Sequence, residues 1–432
     1  MMIKAVNILL LAIAISSSLI YAQIEKFSPA EVGMSLTSLD KATQRLQEHV
    51  DAGDIAGVVA AVSRDGKVVY FESLGLMDIA SDKPMQRDTL FRTYSMTRQV
   101  TTIAALILYD QGKFEMNDPI QLYLPEFKDQ TVLLSSDSLD ISEVKPRVGD
   151  ITIQHLITHT SGLGGRGSRL YRENKVRDKS ISLDQMVSNA AGIPLFHNPG
   201  TEFRYGIHAT ILGKLIEVWS GKPLEEFLNE ELFSKLGMDS TMFWASGTDQ
   251  DRLATVYRPV EGKLTPHEIE TVPFTERPGL IEGGVGLLSS VEDYLNFSQM
   301  ILDLGVFKDQ RILKKATAEM IYKNAVPETA MPIGDSGYWR GSGWTWGGFN
   351  LVLDPDTYDF PVTEGTIWWD GSAGTRYFID PKQNTIIVIM AQVSPSSGGG
   401  FRENFSRLVD ACLLYTSDAA DEGLGVDLGG RR

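Results

Sequence analysis

The strand-like segments of this chain lie towards its two ends, and helical patterns fill the middle. Runs rich in β-branched and aromatic residues occupy residues 57–62, 67–71, 344–353, 376–379 and 385–390. Apolar residues at helical spacing dominate residues 94–236. This order predicts an α+β fold in which one antiparallel sheet is built from both chain ends and flanked by helices, with a mainly helical region inserted into it.

Local signals add detail to this arrangement. Apolar residues at helical spacing predict a helix over residues 36–50, and a last helix is expected over residues 401–413. The Asp65-Gly66 dipeptide between the first two strand-like runs is typical of a β-hairpin turn. The chain is therefore expected to begin and end its folded part with a helix.

The length of 432 residues exceeds that of an ordinary single domain. We predict a sheet lobe formed by residues 23–92 together with 285–411, and a mainly helical lobe formed by residues 93–284. Residues 412–432 lack periodicity and resemble translated vector sequence, so we interpret them as a non-native or disordered tail.

The first 22 residues have the pattern of a signal peptide. Lys4 precedes an apolar run over residues 8–15, which is too short to span a bilayer, and Ala22 is a small residue suited to cleavage. A buried N-terminal helix is the alternative. We expect export to the periplasm or the medium after cleavage near Ala22, with no integral membrane domain.

Charge and composition exclude several classes of partner. A net charge of −16 disfavours nucleic acid and anionic membrane surfaces. Cys412 is the only cysteine, so no internal disulfide can form. The histidines show no metal-ligand spacing, and we expect neither a metal nor a cofactor. The sequence leaves the oligomeric state open.

Three short segments carry candidate chemistry. Ser95 precedes a helix-like stretch, where backbone N–H groups and the helix dipole favour an attacking oxygen that becomes an oxyanion; the alternative is a helix N-cap. Tyr205, held against a cation, is suited to proton transfer from a serine; the alternative is a core aromatic.

The third segment is Trp369-Asp370-Gly371-Ser372, which leads into a strand. Small residues on a strand edge let a substrate approach the backbone closely. The N–H of Ser372 is then a candidate second donor, beside that of Ser95, in an oxyanion hole. The alternative is an ordinary turn rich in Gly and Ser.

In order and context, these segments resemble the serine β-lactamase and penicillin-binding protein superfamily, especially class C β-lactamases and family VIII carboxylesterases. The resemblance covers about residues 27–411. Supporting segments are residues 29–34, 118–125, 156–163, 236–238 and 283–290. The resemblance implies a β-lactamase/transpeptidase-like fold, with Ser95 as the acylated nucleophile and Tyr205 as the general base. Arg98 stands where the family has lysine.

Three departures from the family pattern bear on the substrate. Ile207 replaces an Asn that lactamases have two residues after the Tyr. Trp369-Asp370-Gly371 replaces Lys-Thr-Gly, which removes a cation that grips a carboxylate and adds an acid expected to repel it. Both changes argue against an efficient β-lactamase and favour uncharged esters. The third departure is Arg98, since a guanidinium cannot give up its proton at ordinary pH.

Position 98 leaves three interpretations open. The chain is a slow esterase in which Arg98 keeps Tyr205 anionic, a non-catalytic homologue that binds peptidoglycan-like or ester ligands, or a lysine enzyme with a sequence error at this position. We predict a serine hydrolase, a carboxylesterase acting on small esters through an acyl-enzyme at Ser95. The alternatives are the inactive binding homologue and a β-lactamase or D,D-peptidase acting on β-lactam or peptide-like substrates.

Other serine hydrolase arrangements fit less well. The chain has no Gly-x-Ser-x-Gly segment, which disfavours an α/β-hydrolase. His159 is a possible partner for a serine, but the sequence favours a role in ordering a helix end and the following loop. Trp344, Trp346, Trp368 and Trp369 form an aromatic group of which Trp369 is a candidate for lining an acyl pocket.

Overall fold

A computed structural model describes residues 25–165 and 167–413. Its main feature is an eight-stranded antiparallel sheet with the strand order β4-β5-β6-β7-β8-β1-β2-β3. The strands are β1 (Gly57–Arg64), β2 (Lys67–Asp78), β3 (Lys83–Pro84), β4 (Ser342–Trp344), β5 (Asn350–Val352), β6 (Ile367–Gly371), β7 (Thr375–Asp380) and β8 (Thr385–Ala391). The two ends of the chain meet where β1 pairs with β8, from Val58 opposite Ala391 to Arg64 opposite Thr385. The predicted sheet built from both ends is confirmed.

The turn between β1 and β2 has the backbone that the Asp-Gly signal requires. Asp65 and Gly66 have φ angles of 51° and 72°, which match the primed turns that suit the twist of a two-residue hairpin. The prediction of one strand over residues 344–353 is wrong. Two short strands, β4 and β5, replace it because the chain turns at Gly348, whose φ is 77°. The Thr345 hydroxyl accepts hydrogen bonds from the Gly347 and Phe349 N–H groups across this turn.

Helices cover both faces of the sheet. They are α1 (Leu36–Asp51), α2 (Thr97–Asp110), α3 (Ile153–Ile157), α4 (Arg169–Glu173), α5 (Leu183–Ala191), α6 (His208–Ser220), α7 (Leu224–Leu228), α8 (Ser234–Leu236), α9 (Val291–Leu302), α10 (Lys315–Met320) and α11 (Phe401–Asp410). Alternation along β1 defines two faces. Val58 and Ala60 face α1 and α11, which we call the rear face, whereas Val59 and Ala61 belong to the larger core with α2 and α9 on the front face.

Among the described residues, four short strand pairs lie outside the sheet. They are Phe91–Arg92 with Leu288–Ser289, Val132–Leu133 with Val144–Lys145, Tyr257–Val260 with Lys263–Pro266, and Val306–Phe307 with Gln310–Arg311. The first pair joins the two ends of residues 93–287, the segment that holds α2 to α8. The division into two lobes stays a prediction.

The folded part of the chain extends beyond residue 411. Cys412 is fully buried, and its carbonyl accepts a hydrogen bond from the Ser35 N–H at 2.9 Å. Leu413 forms a β-bridge with Met34. The expectation that a tail begins at residue 412 is wrong, because these two residues close the core between α1 and α11. The rest of that tail and the expected signal peptide lie outside the described residues.

Membrane-spanning length is a simple test of the helices. Within residues 25–165 and 167–413, none is long and apolar enough to cross a bilayer.

Candidate active site

Ser95 lies on a turn that enters the longest helix of the front face. The single 3₁₀ turn Tyr94–Met96 runs directly into α2, and the Ser95 side chain is half-buried. Leu287 fixes this turn from both sides: its carbonyl accepts from the Thr93 hydroxyl at 2.9 Å, and its N–H donates to the Thr97 hydroxyl at 3.1 Å. A serine so placed is next to the free N–H groups and positive end of a helix.

The residue before Ser95 has an unusual backbone. Tyr94 has a φ of 43°, a left-handed conformation that is costly for a residue with a side chain. Its ring is buried and packs edge-on against Phe274, with 5.9 Å between the ring centroids. The surrounding core thus holds the turn in a shape that the chain alone would not adopt, and this shape sets the direction of Ser95.

Arg98 lies one turn further along α2 and reaches the segment that carries Tyr205. The side chain is buried, and Nη1 donates to the Gly206 carbonyl at 2.6 Å. The guanidinium carbon lies 4.3 Å from the centroid of the Tyr205 ring. A methyl group on Gly284 would lie too close to the Thr210 hydroxyl, at 2.8 Å, and in ordinary contact with Arg98 Nη1, at 3.5 Å, so the cation packs directly against this segment. The arginine is therefore part of the architecture around Tyr205.

Tyr205 is held by its phenol oxygen. The Trp369 indole Nε1–H donates to the Tyr205 oxygen at 2.9 Å, and the Tyr205 side chain is half-buried. The hydrogen bond from Trp369 fixes the phenol oxygen, and the Arg98 guanidinium packs on the face of the ring. The structure thus brings Arg98, Tyr205 and Trp369 together from α2, the loop before α6, and β6.

β6 has a free edge at its end. β5 pairs only with Ile367 and Trp368, and in the part of the chain that the structure describes no strand continues this pairing along Trp369–Gly371. A methyl group on Gly371 would lie 2.4 Å from the Thr93 carbonyl, so the end of β6 touches the turn that carries Ser95. Ser372 is exposed in the tight turn that follows. Glycine is needed at position 371 because the backbone of β6 comes so close to the backbone of Thr93.

Asp370 does not lie on the front face of the sheet with Tyr205. Its carboxylate lies on the rear face, where it accepts from Arg376 Nη2 at 3.1 Å and from Arg402 Nη1 at 3.2 Å. Alternation along the strand is the cause, because Trp369 points to the front and its neighbour must point to the rear. The expectation that this acid repels a substrate carboxylate is wrong, since its charge is compensated by two buried arginines.

Two buried histidines that sequence reasoning left outside the site lie directly behind Tyr205. The ring of His159 is 4.7 Å from that of Tyr205, and its Nδ1 is 2.8 Å from Nδ1 of His208, the first residue of α6. The Gly206 N–H also points to His159 Nδ1, at 3.4 Å. Burial is the main cause that lowers the pKa of both histidines well below 6.5, helped by Arg98 nearby, so the pair is neutral at pH 7.

The same contacts confirm that His159 orders a loop. Its carbonyl accepts from the Arg204 N–H at 2.8 Å, which ties the segment after α3 to the one before α6. No sequence pattern indicated that His159 contacts Tyr205. For the other histidine, His208, the one signal was its position three residues after Tyr205.

Aromatic side chains surround the phenol on the front face. We call Phe203, Tyr205, Trp339, Trp344 and Trp369 the aromatic wall. The ring centroids of Trp344 and Trp369 are 4.8 Å apart, and those of Trp339 and Trp369 are 5.5 Å apart. Trp368 is excluded because it points to the rear face and stacks on Phe378. Within the described residues, no group of three His, Cys, Asp or Glu side chains is placed to hold a metal ion.

Comparisons with known proteins agree with this arrangement. An uncharacterized protein of Mycobacterium tuberculosis is 31% identical over 371 residues, covering 83% of this chain and 91% of that protein. Esterase EstB of Burkholderia gladioli is 28% identical, covering 79% of this chain and 86% of the esterase. The solved structure of EstCE1, a hydrolase with promiscuous acyltransferase activity, is 27% identical with a TM-score of 0.75, and the match covers 86% of this chain and 98% of EstCE1.

The family assignment follows from the extent of the match as well as from the fold. The Beta-lactamase family profile matches residues 42–410, which include all eight strands of the sheet and helices α2 to α11. The fold is the β-lactamase/transpeptidase-like fold of the structural neighbours, among which are esterases and acyltransferases. This chain belongs to the Beta-lactamase family.

Proposed function

We propose that this protein is a serine hydrolase that cleaves small, uncharged carboxylic esters through an acyl-enzyme at Ser95. The observation that carries the proposal is the placement of the Tyr205 phenol oxygen, which accepts a hydrogen bond from Trp369 and has the Arg98 guanidinium over its ring. A tyrosine oxygen held in this way has a fixed position from which it can take the proton of a serine hydroxyl.

The proposed reaction has two halves. The Tyr205 phenolate takes the Ser95 proton as the Ser95 oxygen attacks the ester carbonyl, and the resulting oxyanion is stabilised by the N–H groups of Ser95 and Ser372. The C–O bond to the alcohol then breaks, and the alcohol leaves with the proton that Tyr205 received. Tyr205 then takes a proton from water as the water oxygen attacks the acyl carbonyl. When the C–O bond to Ser95 breaks, Tyr205 returns that proton to the Ser95 oxygen, which releases the acid and restores the free serine. Arg98 stays protonated throughout and acts only by its charge.

The choice of uncharged esters rests on the front face. Its residues around Tyr205 are aromatic, and the position of the lactamase lysine is occupied by Trp369, which offers a donor to Tyr205 and no charge to a substrate carboxylate. Ile207 is buried and offers no amide. An apolar acyl group gains from contact with such a surface, whereas an anionic one would lose hydration without a partner cation.

Hydrolysis of p-nitrophenyl acetate and butyrate by the purified protein tests the proposal. We expect turnover that disappears in Ser95→Ala and persists in Ser142→Ala, a matched change at an exposed loop position. Turnover that survives in Ser95→Ala would contradict the proposal. Absence of turnover together with ligand binding that Ser95→Ala leaves intact would instead support a binding protein.

Acyl transfer is a second candidate activity of the same acyl-enzyme. The aromatic wall is a better surface for an organic alcohol than for water, and EstCE1, which matches nearly along its whole length, is described as a hydrolase with acyltransferase activity. Added butanol should then divert p-nitrophenyl butyrate to butyl butyrate, and the ratio of ester to acid reports the partition.

We further propose that the protein acts outside the cytoplasm, on the basis of the charged and apolar pattern of residues 1–22. N-terminal sequencing of the protein from its native cells should give a first residue close to Gln23.

A further inference from the structure

We propose that Trp339 sets the upper limit on acyl-chain length, and that Tyr338 and the buried Arg376 hold it in place. This inference rests on the proposed esterase function and names the part of the site that selects the acyl group. It concerns a segment far along the chain from Ser95 and Tyr205, which the sequence patterns did not single out.

The segment lies across the free edge of β6. The 3₁₀ turn Gly337–Trp339 comes just before β4, and its two aromatic residues contact opposite faces of the sheet. The Tyr338 ring packs against Trp368 on the rear face at 5.2 Å, and the Trp339 ring packs against Trp369 on the front face at 5.5 Å. The two residues therefore straddle the strand whose edge meets the Ser95 turn.

Trp339 is the outer member of the aromatic wall. Its ring lies 5.2 Å from Phe203 and 5.8 Å from Tyr205, and it remains half-buried. Trp344 and Trp369 are 0% and 3% exposed, so they belong to the core. An acyl chain that extends past Tyr205 thus meets one large side chain whose removal leaves the core intact.

Tyr338 is fastened to the rear of the sheet by its side chain and its backbone. Its phenol oxygen accepts from Arg376 Nη2 at 2.9 Å, and its carbonyl accepts from the Ser342 hydroxyl at 2.8 Å and from Asn350 Nδ2 at 3.1 Å. The Arg376 side chain is 0% exposed. Its other end-group nitrogen, Nη1, donates to Glu403 of α11 at 2.7 Å. A buried cation held by α11 thereby fixes the residue next to Trp339.

In this arrangement Trp339 contacts the acyl chain, and Tyr338 holds Trp339 in position. Trp339 acts by its volume, so a smaller side chain lengthens the acyl pocket. Tyr338 acts through Trp339 as a positioning residue, so loss of its hydroxyl loosens the wall without removing it. The first change is expected to move the preference among substrates strongly, and the second is expected to move it in the same direction by less.

The test is the ratio of kcat/KM for p-nitrophenyl octanoate to that for the acetate. We expect this ratio to rise about tenfold or more in Trp339→Ala, because a few methylene contacts in an apolar pocket are worth at least this much discrimination. Trp339→Phe removes less volume than Trp339→Ala, so it should raise the ratio by less. Tyr338→Phe should raise the ratio through a lower KM for octanoate.

Tyr70→Phe is the matched control, since it also removes a rear-face hydroxyl, one that contacts Thr43 and no part of the Tyr338 anchor. It should leave the ratio unchanged. Equal scaling of acetate and octanoate in Trp339→Ala, with turnover still dependent on Ser95, would overturn the role of Trp339 and leave the esterase proposal intact. A parent protein without turnover would contradict the esterase proposal and this inference with it.

Discussion

At the scale of single residues, Arg98 contributes its shape as well as its charge. It spans from α2 to the Gly206 carbonyl and covers the Tyr205 ring. A guanidinium keeps its proton, so it stabilises a phenolate without taking part in proton relay. The proton from Ser95 therefore has Tyr205 as its one destination in the proposed reaction.

Arg98→Lys tests this division of roles. A buried lysine beside Tyr205 can shed its proton and relay it, so we expect kcat for p-nitrophenyl butyrate to rise on the order of tenfold or more. Arg98→Met, which removes the charge and keeps much of the volume, should lower kcat instead. A lysine variant that is slower than the parent would show that the arginine is the better catalyst in this setting.

At the scale of elements, alternate residues of β6 make contacts on the two faces of the sheet. Trp369 supports Tyr205 on the front, and Asp370 joins Arg376 and Arg402 on the rear. The side chains of the two arginines are 0% and 2% exposed, so their charges depend on the acids beside them. The strand thus links the catalytic face to a buried ion network under α11.

Asp370→Asn should therefore destabilise the fold. It leaves two buried cations with Glu403 as the remaining acid of this network, and removing one partner of a buried ion pair typically lowers the free energy of unfolding by about 3 kcal/mol. Asp184→Asn removes one of the two acids that pair with Lys214, at a site where the Asp184 side chain is 74% exposed. It should change the free energy of unfolding by less than about 1 kcal/mol. Urea unfolding of both variants gives the comparison, and equal effects would contradict the buried network.

The histidine pair between α3 and α6 predicts a pH dependence of stability. Burial lowers the pKa of His159 and His208 in the folded state, so below the ordinary value of about 6.5 the unfolded chain binds protons that the folded chain refuses. The contribution of the two histidines to the free energy of unfolding is therefore constant above pH 6.5 and is lost as the pH falls below it. The melting temperature should accordingly drop between about pH 7.5 and about pH 5.5 by less in His208→Asn than in the parent.

The variant must be compared with the parent because the contribution of another group to stability changes with pH in the opposite direction. Burial raises the pKa of Asp293 to about 7, so the folded state gains stability from this carboxyl as the pH falls. This contribution is the same in both proteins and cancels in the difference. An identical drop in the two proteins would show that the histidine pair does not titrate in the way its burial implies.

At the scale of the whole molecule, sequence patterns predicted what depends on periodicity and missed what depends on tertiary contact. The sheet from two chain ends and the Asp65-Gly66 turn follow from local spacing and turn chemistry. The face on which Asp370 lies depends on strand register, which composition does not specify.

Other features of the site arise from distant segments. His159 meets Tyr205 because α3 and α6 pack together, and Trp339 joins the wall because its turn crosses the edge of β6. Cys412 looked like part of a tail because two residues show no period, although its burial against α1 makes it part of the core. Side chains that act across long sequence separations are thus the part of the site that one sequence conceals.

Acylation of Ser95 is the central claim, and trapping the intermediate tests it most directly. The protein is mixed with p-nitrophenyl butyrate, quenched in acid during turnover, and examined by intact and peptide mass spectrometry. We predict one butyryl group on the peptide that contains Ser95, absent in Ser95→Ala and slower to form in Tyr205→Phe, which lacks the base for the attack by Ser95. Turnover without an adduct, or with the adduct on another peptide, would contradict the account.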